Sequence, residues 1–377
     1  MWRLAIRQIL YNRVRSSLTL LAISAAIVVI LVLRGFEQGL YEQSKNAVLN
    51  RGGELILTQS GISNFLAVRS SIPQLARARV EEIDGVKIAH PMTGLWVIYG
   101  PEGNKFPLFL LVYDTLGGAT SLVEGRNIQN GREIIVDRGL SKRFGLKLND
   151  SLVISDFEFQ IVGITNGSSA LFSTFAYVNY DGLIDLFLES EIAPDISTFP
   201  LLSFLLVELS DNADLDAVIN NIELNVPSVD VFTPQQLAAN DVKLGEELFG
   251  SIIGVLVTLS YIIGLLVIGL IIYSDVSSRQ RSFGVMKALG FRMSHIVKQV
   301  SLQTGILVII AFPLGVLFAY LLAEFIEWNM PVYQVYILEP HGLLRAALGI
   351  MVITFIGSLL PLRIISRSDP MLAFQVE

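Results

Sequence analysis

Apolar positions along this chain gather into four long blocks: Leu18–Leu33, Leu248–Tyr273, Val300–Phe325 and Leu343–Leu362. Each is close to the roughly 20 helical residues needed to cross a hydrocarbon core. The first block stands alone and the other three crowd the C-terminal third. Residues 34–247 lie between, and their apolar positions come in short runs. Alternation and turn residues there predict strands at Glu54–Gln59, Gly94–Tyr99, Glu133–Val136, Ser151–Ile154, Phe157–Ile164 and Leu201–Leu209. Helical spacing predicts helices at Ile72–Ile83, Gly139–Phe144 (ended by Gly145) and Asp214–Ile222. Arg34–Asn50 reads as a helical continuation of the first block, and Pro234–Phe249 as a helix entering the second. The pattern predicts a membrane α-helical protein with four transmembrane helices in a 1+3 arrangement. A large α+β domain of two lobes sits between the first and second spans.

Charge turns this pattern into a topology. Residues 34–247 hold 15 Lys and Arg against 28 Asp and Glu, whereas the rest of the chain holds 12 against 6. Arg3, Arg7, Arg13 and Arg15 precede the first span; Arg279, Arg281, Lys287, Arg292 and Lys298 separate the second from the third; Arg363 and Arg367 follow the fourth. The link between the third and fourth carries Glu327 and Glu339 and no Lys or Arg. Basic flanks stay cytoplasmic. The expected order is a cytoplasmic N-terminal amphipathic helix (1–17), span 1 (18–33), an extracytoplasmic domain (34–247), span 2 (248–273), a cytoplasmic loop (274–299), span 3 (300–325), a short outer loop (326–342), span 4 (343–362) and a cytoplasmic tail (363–377). A cleaved signal peptide is the alternative for the first block. Arg34 directly after it, and the lack of a small-x-small site, speak against that.

Composition narrows the chemistry. The chain has no Cys and three His (His90, His295, His341), so thiolate sites are excluded and a His-rich metal site is not expected. The acidic domain is the wrong sign for nucleic acid. No P-loop, HExxH, GxSxG or GxGxxG occurs. No catalytic, cofactor-binding or metal residues are therefore assigned. Small residues Gly250, Gly254 and Thr258 recur at four-residue spacing, as do Ser260 and Gly264, and offer close helix packing within one subunit or between two. Pro313 predicts a kink or break in span 3. Glu246 and Glu247, at the outer mouth of span 2, could meet a cationic cargo or simply mark the helix entry.

Residues Arg281-Ser282-Phe283-Gly284-Val285-Met286-Lys287-Ala288-Leu289-Gly290 resemble the R-E-x-G-x-x-[KR]-A-[LI]-G signature of FtsX/MacB-type ABC transporter permeases. Ser282 replaces the family Glu. Leu360-Pro361-Leu362-Arg363 with Ser368-Asp369-Pro370-Met371 resembles that family's closing pattern, and Ala5–Leu20 its entry into the first span. Glu124-Gly125-Arg126, Val136, Phe144-Gly145 and Val162-Gly163 are similar to a stretch of its outer domain. Independently of that likeness, Ser277–Ala288 can form a short cytoplasmic helix bearing Arg279, Arg281 and Lys287 and ending at Gly290. It could act as a lever on an ATPase or as a basic anchor on anionic headgroups.

The resemblance implies a type VII ABC fold, closest in layout to DevC-like exporter permeases. It implies a homodimer in a bacterial inner membrane, with both termini cytoplasmic, that pairs with two copies of an ABC ATPase. ATP and Mg bind in that partner and no cofactor binds this chain. It also implies mechanotransmission: the coupling loop (Arg279, Arg281, Ser282, Gly284, Lys287, Ala288, Gly290) passes the ATPase stroke to an outer domain that moves cargo onward. A periplasmic adaptor and outer-membrane channel accompany such exporters. The alternative it carries is an FtsX-like regulator of a cell-wall hydrolase or signalling partner, with no transported substrate.

Overall fold

The computed structural model describes residues 13–66, 69–99, 106–167, 170, 173–191 and 202–359. The expected helix of residues 1–12 and the closing motif from Leu360 onward lie outside them. The chain divides into two compact units, one within residues 1–38, 251–325 and 335–377, the other within 39–250 and 326–334.

Among the described residues four helices are long and apolar enough to cross a membrane, as the blocks predict. They are α1 (Arg13–Leu49), α7 (Ser251–Ser277), α9 (Met293–Asn329) and α10 (Pro340–Leu359). Small residues set how the spans pack in the first unit. A Cβ on Gly315 of α9 would lie 2.5 Å from Ile27 of α1, and one on Gly349 of α10 would lie 2.6 Å from the Tyr261 ring of α7. Gly357 sets α10 against Gly269 of α7 in the same way. Ser24 of α1 donates to the Ala311 carbonyl of α9 (3.2 Å), and Tyr336 donates its amide to the Gly35 carbonyl (3.0 Å). Pro313 does not break α9, which runs unbroken from Met293 to Asn329. Tight packing of α1 at Ala311 and Gly315 holds both flanks of the proline in helix.

The second unit is built on one sheet. In chain order come β1 (Leu55–Gln59), α2 (Gln74–Glu81), β2 (Val86–Tyr99), β3 (Phe106–Tyr113), β4 (Leu122–Gly125), β5 (Glu133–Asp137), α3 (Arg138–Phe144), β6 (Ser151–Ile154), β7 (Phe157–Thr165), β8 (Thr174–Asn179), α4 (Tyr180–Glu189), β9 (Phe204–Leu209), α5 (Leu215–Asn225), β10 (Val229–Phe232) and α6 (Pro234–Gly245). The strand order is β10-β1-β9-β2-β3-β8-β5-β7-β4, with β6 on β7. The pairs β3–β8 and β5–β7 are parallel and the others antiparallel.

Two lobes were expected, but one ten-stranded sheet runs through the domain. The long strand β2 joins the ends by pairing with β9 on one side and β3 on the other. At one end α2 and α5 cover the sheet through Ala76, Val80, Val218 and Ile222; at the other, α3 and α4 cover it through Leu140, Leu183 and Leu186. Local chemistry fixes these helices. Asp137 caps α3 by accepting from Gly139 N (2.7 Å), and Gly145 ends it in the left-handed region (φ 69°). Asp214 caps α5, and Thr233 with Gln236 forms a capping box on α6, with Pro234 in its first turn.

The end of α1 and the start of α6 share the middle of the sheet. Ala47, Val48, Leu237 and Ala238 pack with Ile56, Leu206 and Phe204. Buried polar groups pin both. Arg51, just past α1, donates to the Gly117 carbonyl (2.7 Å) and lies over the Tyr177 ring (5.4 Å). Asp241 of α6 accepts from the Phe65 amide (2.8 Å). Burial pushes the Asp241 carboxyl up to about 7, and the backbone amides of Phe65 and Leu66 offset that only in part. The two helices continuous with spans 1 and 2 therefore end on fixed points of the sheet.

Candidate functional site

The loop after span 2 forms a short helix, α8 (Gln280–Ala288), that starts three residues later than the expected Ser277–Ala288, because Ser277 still belongs to α7. Gly290 has φ 86°, and Phe291 N donates to Met286 O (3.1 Å), the six-to-one bond of a Schellman stop. Glycine is needed there because an L side chain rarely adopts that φ. Phe283 and Gly284 are buried, whereas Arg281, Ser282, Val285 and Leu289 are exposed. Ser282, Val285 and Leu289 fall at helical spacing on one outward face. The position of the family Glu, here Ser282, thus lies on the face open to a partner.

Arg279 of the expected coupling loop turns inward. Its side chain is only 13% exposed and pairs with Asp275, one turn back (3.1 Å). It also donates to Gln303 Oε1 (3.3 Å), and Gln303 Nε2 reaches Asp275 Oδ2 (3.5 Å). The result is a closed ring of three side chains that joins the end of α7 to α9 and fixes the start of α8. Arg279 serves the spans; Arg281 faces outward. Asp275 and Gln303 were missed. The four-residue step from Asp275 to Arg279 was a readable signal, but Gln303 lies on another helix. The apolar share of the outward face was also missed: Leu289 is 72% exposed and Phe291 follows it. Lys287 and Ala288 lie in the last turn of α8.

The small-residue face splits. Gly264 packs on Ile30 within the chain (a Cβ would lie 3.2 Å from Ile30 Cδ1), and Ser260 is buried. Gly254 has nothing within 4 Å of its Cβ position, and Thr258 is exposed with its hydroxyl donating to the Gly254 carbonyl (2.7 Å). Packing within one subunit, one of the two expectations, fails for Gly254 and Thr258. Gly250 lies just before α7, where a Cβ would come 3.4 Å from the Tyr41 hydroxyl. Glu246 and Glu247 are exposed in a π-helical turn, Glu246–Gly250, between α6 and α7.

In the outer domain, Arg126 of the Glu124-Gly125-Arg126 stretch has a structural task. It grips Glu133 with both arms (2.8 and 2.6 Å), and Glu133 also accepts from Gln129 N and Asn130 Nδ2 (each 2.7 Å). These donors, the guanidinium first, hold the Glu133 carboxyl well below its ordinary value, at about 2. Among the described residues no group of His, Cys, Asp or Glu could hold a metal ion.

A short helix between the second and third spans, in a chain with one span before a sheet domain and three after it, has matches among known proteins. The model of the MacB-like periplasmic core domain matches residues 16–224, and that of the FtsX-like permease C-terminal region matches 254–370. The chain belongs to the FtsX/MacB-type family of ABC transporter permeases. An uncharacterized ABC transporter permease of Mycobacterium tuberculosis is 23% identical over 98% of both chains. A Staphylococcus epidermidis protein named as a hemin transport system permease, HrtB, is 19% identical over 97% of both. The periplasmic region of MacB from Actinobacillus actinomycetemcomitans aligns with 51% of this chain and 94% of its own, at 11% identity and TM-score 0.36. As a member of this family the chain is a multi-pass membrane permease subunit that works with an ATPase in an ABC complex. Such subunits are generally non-catalytic.

Proposed function

We propose that this permease converts the stroke of a separate ATPase, which binds ATP and Mg, into movement of its extracytoplasmic domain, and that this movement drives cargo onward from the outer leaflet or periplasm. The chain itself does no chemistry and binds no cofactor. The observation that carries the reading is α8: a short helix with an outward face of Arg281, Ser282, Val285 and Leu289, locked at its root to α7 and α9 by Asp275, Arg279 and Gln303. A lever needs a free face and a fixed root, and α8 has both. The helices that carry spans 1 and 2 give the motion a route, since Arg51 and Asp241 fasten their ends to the sheet.

In this reading the protein sits in a bacterial inner membrane with both termini cytoplasmic. It works as a homodimer with two ATPase copies, and the open Gly254–Thr258 face is where a second copy packs. An adaptor and outer-membrane channel receive the cargo in an exporter of DevC-like layout. Hemin, which figures in the name of one relative, is the first cargo to test. The direct test is to purify the permease with its ATPase and introduce Val285→Asp with Leu289→Asp. The expected result is loss of ATPase co-purification and of cargo movement while the permease still folds. Cargo movement that persists without bound ATPase sinks the proposal. ATP-dependent activation of a hydrolase with no cargo moved would favour the regulatory alternative.

A further inference from the structure

We propose that the outer loop Ile326–Gln334 is a strap that ties the end of span 3 to helix α3 of the outer domain, giving the domain a third mechanical input beside the helices of spans 1 and 2. The tie itself depends on neither cargo nor ATPase; its part as a mechanical input rests on the function proposed above.

The strap touches three separate pieces of the domain. Trp328, in the last turn of α9, lies against two cations of α3: Lys142 Nζ is 3.9 Å from its ring centroid and Arg138 Cζ 5.6 Å. Cations over an indole face attract its quadrupole. Lys142 Nζ also donates to the Trp328 carbonyl, so one side chain holds both ring and backbone. Burial, then the neighbouring Arg138 charge, lowers the Lys142 pKa. Next along the loop, Val332 sits so close to α3 that a Cβ on Gly139 would lie 2.7 Å from Val332 Cγ2. The Val332 carbonyl accepts from Gln43 of α1 (2.8 Å). Gln334 lies beneath Gly167, after β7, where a Cβ would meet its amide nitrogen at 2.8 Å.

The gripped helix is not a loose flap. α3 is capped at both ends, buries Leu140, and stacks Arg143 on the Phe106 ring of β3 (4.1 Å). Force on Trp328 and Val332 therefore reaches β3 and the β5–β7 end of the sheet. Arg51 and Asp241 instead pin their helices at mid-sheet. Two points of purchase allow the domain to be turned as well as pushed.

The chain has no Cys, so paired cysteines give a clean reading. In the full permease in nanodiscs, without ATPase, Gly139→Cys with Val332→Cys is expected to form a disulfide readily, because the two sites are within its reach. Trp328→Ala is expected to slow that bond about tenfold by freeing the loop from held proximity. A second measurement covers strain at Gly139: with Trp2→Phe and Trp96→Phe, Trp328 is the sole tryptophan, and its fluorescence anisotropy should fall when Arg138 and Lys142 become Ala. In the ATPase complex, Trp328→Ala should shrink the nucleotide-driven movement of the outer domain, and the 139–332 disulfide should restore it. The strap is overturned if no disulfide forms and anisotropy is unchanged, or if the disulfide blocks the movement instead of restoring it. Loss of all nucleotide response in the unaltered complex would instead count against the function proposed above, and leaves the disulfide result standing.

Discussion

Arg279 pairs with Asp275 one helical turn behind it, at 3.1 Å, and so turns toward the spans. Two arginines separated by a single residue thereby face different ways: Arg279 turns toward the spans and Arg281 is exposed, which in the proposed function leaves Arg281 to meet the partner. Arg279→Ala is expected to leave ATPase binding within about twofold of normal, since no contact face is lost, yet to uncouple hydrolysis from outer-domain movement. Arg281→Glu should weaken ATPase binding itself, with a strong salt dependence. Pull-down and ATPase assays on the two variants separate these outcomes; equal loss of binding in both would remove the distinction.

Gly290 ends α8 with φ 86°. Gly290→Val forces a β-branched residue into the left-handed region, at a cost of about 1–2 kcal/mol. The chain past the helix is expected to redirect, with loss of coupling and little change in the stability of the outer domain. Gly290→Asn, which tolerates that φ, should retain most activity. Export assays on both variants decide it, and an active Gly290→Val would show that the stop is dispensable.

Gly254 has open space at its Cβ position whereas Gly315 faces Ile27 at 2.5 Å. Gly315→Leu should therefore damage packing of the spans within one chain. Gly254→Leu should leave the chain folded but shift it from dimer to monomer in detergent, measured by light scattering. Unchanged mass for Gly254→Leu would move the dimer seam elsewhere.

Much of this could be read from the sequence. The spans, the hairpin of β6 and β7, the caps of α3 and α5 and the stop at Gly290 all rest on local signals. The strands β3, β4, β8 and β10 and the helix α4 did not declare themselves. Phe106–Tyr113 is a nearly continuous apolar run, and Thr174–Asn179 is buried almost throughout, so neither alternates. The continuity of the sheet depends on β2, whose first half reads Val86-Lys87-Ile88-Ala89-His90-Pro91; its proline argued against a strand interior. The basic part of the exposed face of α8, Arg281, was visible; its apolar part, Val285 and Leu289, and its root were not. Arg279 looked like one more loop cation, and only the approach of Gln303, 24 residues on, gives it another role.

Glu133 links the family-like Arg126 to acid stability. Its folded pKa, about 2, lies below the ordinary carboxylate value of about 4.5. The bond contributes fully above pH 4.5 and is lost as pH falls from there through about 2. Glu133→Gln should destabilise the domain at pH 7 and lose that difference from the parent near pH 2. Thermal melts of the isolated complex across that range check the sign; a penalty that grows on acidification would contradict it.

The central claim is that nucleotide turnover in the partner moves the outer domain through α8. The most direct measurement places a spin label on exposed Glu158→Cys of β7 in both copies of the otherwise Cys-free permease. Label-to-label distance is then followed in the ATPase complex with and without nucleotide. The account predicts a distance change on ATP binding that disappears in Arg279→Ala while hydrolysis continues. No change in the intact, hydrolysing complex, or a change that persists undiminished in Arg279→Ala, would contradict it.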